Sequence, residues 1–392
     1  MDEETYDVVV VGGGPSGATA ATDLAQAGRR VLLLDKEGRI KPCGGAVPPR
    51  LIRDFAVPDA LIVARIRCAR MVSPRDRQVD MPVGEGFVGM VDREAFDPWL
   101  RDRAAGAGAA RRTATFLRLT RPGDGLARVH YRRRDGSEES VRTRLVIGAD
   151  GAASTVGRQE IPGHARMRQV FAYHEIVRTP PEGAFHPARC DVYYQGALSP
   201  DFYAWIFPHG DTISIGTGSA RKGFSLRGAV GSLRRATGLD AGETVRREGA
   251  PIPLKPLRRF DNGRDVLLTG DAAGLVAPAS GEGIYYAMLG GRLAAEAADA
   301  FLRTGDARAL AGARRRFLRA HGRVFWILRL MQAVWYRNDA LRERFVSICR
   351  DPDVQSLTWE AYMNKELVRA RPAAHARIFF KDLAHLFRWV SP

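Results

Sequence analysis

Four consecutive valines, Val8 to Val11, run without interruption into Gly12-Gly13-Gly14-Pro15-Ser16-Gly17. No other stretch restricts the fold so strongly. An unbroken β-branched run reads as a buried parallel strand. The spacing Gly12-x-Gly14-x-x-Gly17 reads as the turn that carries such a strand into a helix. Ala18, Ala20, Ala21, Leu24 and Ala25 give that helix its small and apolar faces, and Gly28 ends it. Residues 30–34 then form a second strand with Asp35 at its tip. The whole is a strand–helix–strand unit with a dinucleotide fingerprint. Gly12 permits the tight turn, and Gly14 lets the backbone approach a pyrophosphate at the helix N-terminus. Gly17 lets helix and strand pack closely, and Asp35 can accept from ribose hydroxyls. This unit alone does not separate FAD from NAD.

Two further segments decide between them. Leu145-Val146-Ile147-Gly148-Ala149-Asp150-Gly151 is a second buried strand ending in glycine and acid. Val266-Leu267-Leu268-Thr269-Gly270-Asp271 is a third, continued by Ala272, Ala273 and Gly274. Residues 278–284, which include Gly281, Gly283 and Ile284, lead into a helix of small residues over 285–300. A glycine-rich helix start presents backbone N–H groups to an electron-rich ring edge. The ordered triplet points to a flavin held by a discontinuous domain, and so to redox chemistry. Ser154 and Arg158 follow Asp150 with the spacing of flavoprotein hydroxylases. The chain thus resembles the para-hydroxybenzoate-hydroxylase-like FAD fold. That resemblance implies that Asp271 holds the ribityl chain. It implies FAD contacts from Ser16, Lys36, Cys43, Gly44, Leu117 and Asp150 as well. Arg93, opening a helix, is either a flavin-contacting arginine of this fold or a solvated helix-start charge. The sequence carries no second glycine fingerprint for NADPH, as in that fold.

The substrate side rests on two stretches. Lys41-Pro42-Cys43-Gly44-Gly45-Ala46-Val47-Pro48 closely follows the second strand, so it is expected against the flavin ring. Cys43 can donate a proton, polarise the site, or simply pack. In Tyr203-Ala204-Trp205-Ile206-Phe207-Pro208 the aromatic residues alternate and share one face of a strand. Gly210-Asp211 reads as a two-residue hairpin turn pairing Trp205 with Gly216 and Tyr203 with Gly218. Bare glycines opposite large rings imply open volume suited to a long apolar ligand, and the pattern alone also fits a sheet face packed on the core.

These stretches carry a closer resemblance. Tyr203-x-Trp205-x-Phe207-Pro208, then Gly216-x-Gly218, together with Cys43-Gly44-Gly45, is similar to the geranylgeranyl reductase family. Residues 41–55, 248–257, 277–288 and 361–380 resemble its chlorophyll and bacteriochlorophyll branch. The resemblance implies FAD as cofactor and NADPH as electron donor. The implied reaction reduces three of the four double bonds of a geranylgeranyl chain, free as the diphosphate or esterified to (bacterio)chlorophyll. It implies catalytic roles for Cys43, Tyr203 and Trp205, and substrate contacts from Tyr203, Trp205, Phe207, Pro208, Gly216 and Gly218. Three rivals stand beside it: an FAD monooxygenase of the same fold, a reductase of another prenyl lipid, and a prenyl- or pigment-carrying protein with a vestigial flavin.

The chain has 392 residues, enough for more than one core. Its net charge of +16 comes mostly from dispersed arginine without a nucleic-acid motif. Phosphorylated ligands and an anionic lipid surface suit that charge better than nucleic acid does. The four cysteines and eight histidines lack metal-ligand spacing, so no metal is expected. No secretory segment is visible at the acidic start, and the expected compartment is the cytoplasm. The fold class is α/β (α+β overall): a Rossmann-like FAD domain, an antiparallel-sheet substrate domain and a helical C-terminal region. The boundaries expected are 1–70, 91–158 and 261–300 for the first, 71–90 and 159–260 for the second, and 301–392 for the third. Residues 324–336 are strongly apolar but interrupted by Arg329. Ile378, Phe379, Leu383, Leu386, Phe387 and Val390 repeat at helical spacing among Lys381, His385 and Arg388. Such helices either cap the substrate domain or form an interfacial surface, peripheral on a photosynthetic membrane.

Overall fold

The computed structural model describes residues 4–38, 40–123, 125–180 and 185–365. The amphipathic pattern over 378–390 lies outside them. Two compact units divide the chain.

The first comprises residues up to Ile40, Glu94–Gln169 and Ile252–Phe325. Its centre is a six-stranded sheet. Thr5–Val11 lies between two parallel neighbours, Val31–Asp35 and Glu138–Gly148. Ala110–Thr120 continues the parallel order on one side and Val266–Leu268 on the other. Ala127–Arg133 runs antiparallel to both Ala110–Thr120 and Glu138–Gly148. Val8, Val9, Val10, Leu145, Val146 and Ile147 are fully buried, as strands covered on both faces require. Helices Pro15–Gln26 and Ile284–Thr304 pack against each other. Gly291 makes that approach possible, because a Cβ there would lie 2.2 Å from the Ser16 carbonyl oxygen.

The second unit comprises Lys41–Arg93, Val170–Pro251 and the described residues from Trp326 on. A three-stranded sheet pairs Val88–Val91 with Ala46–Val47 and Ile62–Ile66. A seven-stranded sheet runs in the order Thr244–Pro253, Gln169–Arg178, Thr212–Ser219, Ala204–His209, Arg189–Tyr193, Cys68–Val72, Gln78–Pro82. Gln169–Arg178, Thr212–Ser219, Ala204–His209 and Arg189–Tyr193 pair antiparallel in turn, as do Cys68–Val72 and Gln78–Pro82, whereas Cys68–Val72 lies parallel to Arg189–Tyr193. Residues 41–70, grouped with the first glycine segment in the sequence reading, therefore pair within this unit. Helix Leu226–Ala236 covers one face of the large sheet, where Ala204, Ile206, Ile213, Ile215, Val230 and Leu233 form a core. The C-terminal region is helical, with helices Ala311–Trp335, Asp339–Ile348 and Pro352–Asn364.

Candidate functional site

In the first unit, the three glycine–acid segments converge at the C-terminal ends of three adjacent parallel strands. Gly12 N–H donates to Leu34 O at 2.7 Å, and Ala149 N–H donates to Val11 O at 2.8 Å. Thr269 N–H donates to Gly148 O at 3.0 Å, which ties the third segment to the second. Gly12 has φ +105°, and a Cβ there would meet Ala149 O at 2.4 Å. Both facts require glycine. A Cβ on Gly17 would lie 1.9 Å from Gly12 O, so the helix sits directly on the turn. At Gly14 the space is open: a Cβ there meets nothing within 4 Å. No side chain caps helix Pro15–Gln26 at Gly14. Its first N–H groups therefore face an open cradle, with the positive end of the helix dipole behind them.

Asp35 sits beside this cradle. Its Oδ2 accepts from Gly13 N–H at 2.7 Å and its Oδ1 from Glu37 N–H at 2.9 Å. Arg101 lies 3.6 Å from the same carboxylate. Each carboxylate oxygen keeps a lone pair for a ribose hydroxyl. Lys36 is exposed next to it. Ser16 is buried against Gly270, whose Cβ would meet Ser16 Oγ at 2.4 Å. Asp271 follows in a short 3-10 turn, and a Cβ on Gly283 would be 3.7 Å from its Oδ1. Gly283 is the N-cap of helix Ile284–Thr304, again without a side-chain cap. Gly281, at φ +68°, turns the chain into that start. The residues present thus fit a dinucleotide: two uncapped helix starts and two carboxylates at one end of a sheet.

Two further residues assigned to this site have local roles in the fold. Asp150 supports the start of helix Thr155–Glu160, its Oδ2 accepting from Thr155 N–H at 2.6 Å and its Oδ1 from the hydroxyl of Ser154, the helix N-cap. Leu117 sits at a register shift between Phe116 and Arg118, half-buried. Arg93, in the second unit, is 6% exposed at the first residue of helix Arg93–Gly106, so it is not a solvated helix-start charge.

In the second unit the Cys43 loop and the aromatic row come together. The turn is Gly210-Asp211, with His209 opposite Thr212 and Trp205 opposite Gly216. Rings follow one another along the strand: Tyr203 to Trp205 at 5.9 Å and Trp205 to Phe207 at 6.1 Å between centroids. A Cβ on Gly44 would touch the Phe207 ring at 3.1 Å. His209, next in the alternation, lies 3.1 Å through Nε2 from Gly44 O. Burial pushes the His209 imidazole down to about 4, so it stays neutral and donates to that carbonyl. Gly45 N–H donates to Cys43 Sγ at 3.4 Å, which holds the half-buried thiol against its own loop.

The open volume expected over Gly216 and Gly218 is absent. A Cβ on Gly216 would fall 2.2 Å from the Trp205 ring and 2.7 Å from His174 Cβ. One on Gly218 would meet Val170 at 2.9 Å and Phe202 at 3.0 Å. The glycines make room for the Trp205 and Phe202 rings, not for a ligand. Strand alternation also puts Pro208 on the face opposite Trp205. The sequence reading missed residues that extend the row. Tyr194 packs on Tyr203 at 6.2 Å, on Tyr336 at 5.3 Å and on Phe345 at 5.0 Å. Burial above all raises the Tyr194 and Tyr336 phenols, which hydrogen-bond to each other. Nothing local in sequence links these three positions, since two of them come from the C-terminal region.

An FAD-binding domain family model matches residues 52–313, and an NAD(P)-binding Rossmann-like domain model matches residues 10–52. The chain is 56% identical over 388 residues to a geranylgeranyl diphosphate reductase of Rhodobacter capsulatus, covering 99% of each chain. It is 35% identical to the chloroplastic geranylgeranyl diphosphate reductase of Oryza sativa, covering 97% of this chain and 86% of that one. A solved structure of a geranylgeranyl bacteriochlorophyll reductase-like protein from Thermoplasma acidophilum superposes with a TM-score of 0.83. That match has 23% identity, over 99% of this chain and 100% of that one, and it speaks for the fold. Fold, glycine cradle and end-to-end identity agree, and the chain belongs to the geranylgeranyl diphosphate reductase family of FAD-binding proteins.

Proposed function

We propose that this protein uses FAD and NADPH to reduce three isolated double bonds of a geranylgeranyl chain to phytyl in (bacterio)chlorophyll synthesis. The chain enters as its diphosphate or as the pigment ester. The observation that carries the reading is the 56% identity, end to end, with a geranylgeranyl diphosphate reductase. FAD, when bound, supplies the two-electron transfer between NADPH and the alkene.

The residues divide the work as follows. N–H groups at the Gly14 helix start bind the pyrophosphate, and Asp35 receives the adenosine ribose. Asp271 holds the ribityl chain beside Gly283 and Ile284. Arg93, Lys36, Leu117 and Asp150 complete the cofactor contacts, Asp150 by fixing the turn after its strand. Tyr203, Trp205 and Phe207 grip the prenyl chain. An isolated alkene has no carbonyl to take up charge, so orientation by a rigid apolar row and exclusion of water carry much of the barrier reduction. The ring faces stabilise positive charge developing on the more substituted carbon. The other carbon needs a proton in step, which Cys43, or a water bound at the flavin, would supply. An apolar row discriminates weakly among similar isoprene units, which suits repeated reduction along one chain.

The protein collects this substrate at a membrane surface. No helix among the described residues is long and apolar enough to cross a membrane. Trp326 and Leu330, however, are 57% and 48% exposed, and Ile327 is exposed beside them. Arg323 and Arg329 flank them on the same helix, also exposed. That combination fits an anionic interface.

Two anaerobic observations test the function. NADPH is expected to bleach the bound flavin, and a geranylgeranyl substrate is expected to restore its colour without oxygen. Restoration by oxygen alone would favour a monooxygenase. No bleaching would favour a carrier protein.

A further inference from the structure

One polar chain crosses the large sheet of the second unit with one residue on each of four adjacent strands. Glu248 stands on Thr244–Pro253, His174 on Gln169–Arg178, Ser214 on Thr212–Ser219 and Trp205 on Ala204–His209. His174 Nε2 is 2.9 Å from Glu248 Oε2, and His174 Nδ1 is 2.9 Å from Ser214 Oγ. Trp205 Nε1–H donates to Ser214 Oγ at 3.1 Å. Ser214 is fully buried and His174 nearly so. Arg246 Nε lies 3.3 Å from the other Glu248 oxygen, and its guanidinium is 3.7 Å from Asp92.

The direction of the chain follows from its ends. An indole nitrogen only donates, and a carboxylate only accepts. As a neutral imidazole, His174 donates its Nε2–H to Glu248 and accepts at Nδ1 from the Ser214 hydroxyl. Ser214 in turn accepts from Trp205. Every donor has one acceptor, and the carboxylate polarises the whole series. The bare Gly216 between His174 and Trp205 lets the indole lie low enough to reach Ser214. A residue that only filled the core would need none of this.

We propose that Glu248, His174 and Ser214 are positioning residues that lock the Trp205 indole in one orientation, so that the prenyl alkene meets one fixed ring face. The proposal rests on the geranylgeranyl-reducing reading. Ser214→Ala and Glu248→Gln remove a link without removing the ring. Each is made in the full-length holoenzyme, alone and in a Trp205→Phe background. With geranylgeranyl diphosphate and NADPH, each alone is expected to lower kcat about tenfold, or about 1.4 kcal/mol, with KM nearly unchanged. In the Trp205→Phe background neither lowers it further. Equal losses in both backgrounds would overturn the proposal, because the links would then act elsewhere.

A second readout does not depend on turnover. The indole N–H resonance of Trp205, assigned by its loss in Trp205→Phe, is expected to move in Glu248→Gln, although that residue reaches the indole only through His174 and Ser214. An unmoved resonance would overturn the coupling. If the wild-type enzyme reduces no geranylgeranyl substrate, the functional reading fails, and the resonance alone still decides whether the chain is coupled.

Discussion

Gly216 shows how far a single residue can be read from sequence. Its pairing with Trp205 follows from the hairpin turn, and the structure has that register. What fills the space above it does not follow, because that depends on the indole rotamer, whose N–H donates to Ser214 on the neighbouring strand. Gly216→Ala puts a Cβ 2.2 Å from the ring. We expect it to cost about 1–3 kcal/mol of stability by overpacking, read as a fall in the urea midpoint, with loss of turnover. The legible glycines were those whose role is set by local backbone, such as Gly12 and Gly17. Gly17→Ala is expected to abolish flavin retention through purification, read from the 450 nm absorbance of the isolated protein, because the helix start would be pushed off the Gly12 turn. Cys43→Ser is expected to keep its flavin and lose about a hundredfold or more in kcat, the low end of a general acid's contribution. His209 carries a pH signature. Its folded value of about 4 lies below the ordinary histidine value, so the unfolded chain binds the extra proton first. Stability from this group is therefore complete above about 6.5 and declines as pH falls towards 4. His209→Gln, which still donates to Gly44, is expected to flatten that part of the wild-type dependence in urea unfolding between those limits.

At the scale of elements, the strand–helix–strand unit and the hairpin were legible because their signals are local: a valine run, a glycine spacing, a two-residue turn. The partnership of residues 41–70 with the second unit was not. It depends on Val88–Val91 receiving two strands and on Cys68–Val72 pairing with Arg189–Tyr193, contacts between distant segments that leave no periodic trace. The role of helix Asp339–Ile348 was equally hidden. Arg342 is buried there, giving NH1 to Ser199 O at 2.6 Å and Nε and NH2 to Tyr336 O at 3.2 and 2.9 Å. It thereby fixes the helix that carries Phe345 to the aromatic row. Arg342→Ala would strand those carbonyls, and we expect a loss of about 2–4 kcal/mol, measured by thermal or urea unfolding.

For the whole molecule, the glycine–acid cradle and the aromatic row fall in different units. The first gathers its glycines and carboxylates at one end of a parallel sheet, where such folds bind nucleotides. The second gathers aromatic rings, a thiol loop and the polar chain behind Trp205. The excess of arginine, which in a linear reading suited an anionic ligand or lipid surface without a location, includes exposed Arg323 and Arg329 flanking exposed Trp326 and Leu330. Flotation with anionic liposomes at low salt is expected to carry the protein upward, and the double substitution Trp326→Ala, Leu330→Ala to leave it at the bottom. Wild-type protein that stays at the bottom would remove the membrane reading. The central claim is reduction without oxygenation, and product mass reads it most directly. Anaerobic incubation of the holoenzyme with NADPH and geranylgeranyl diphosphate is predicted to give products heavier by two, four and finally six hydrogens. Unchanged substrate, or a product that forms only in air and carries an added oxygen, would contradict it.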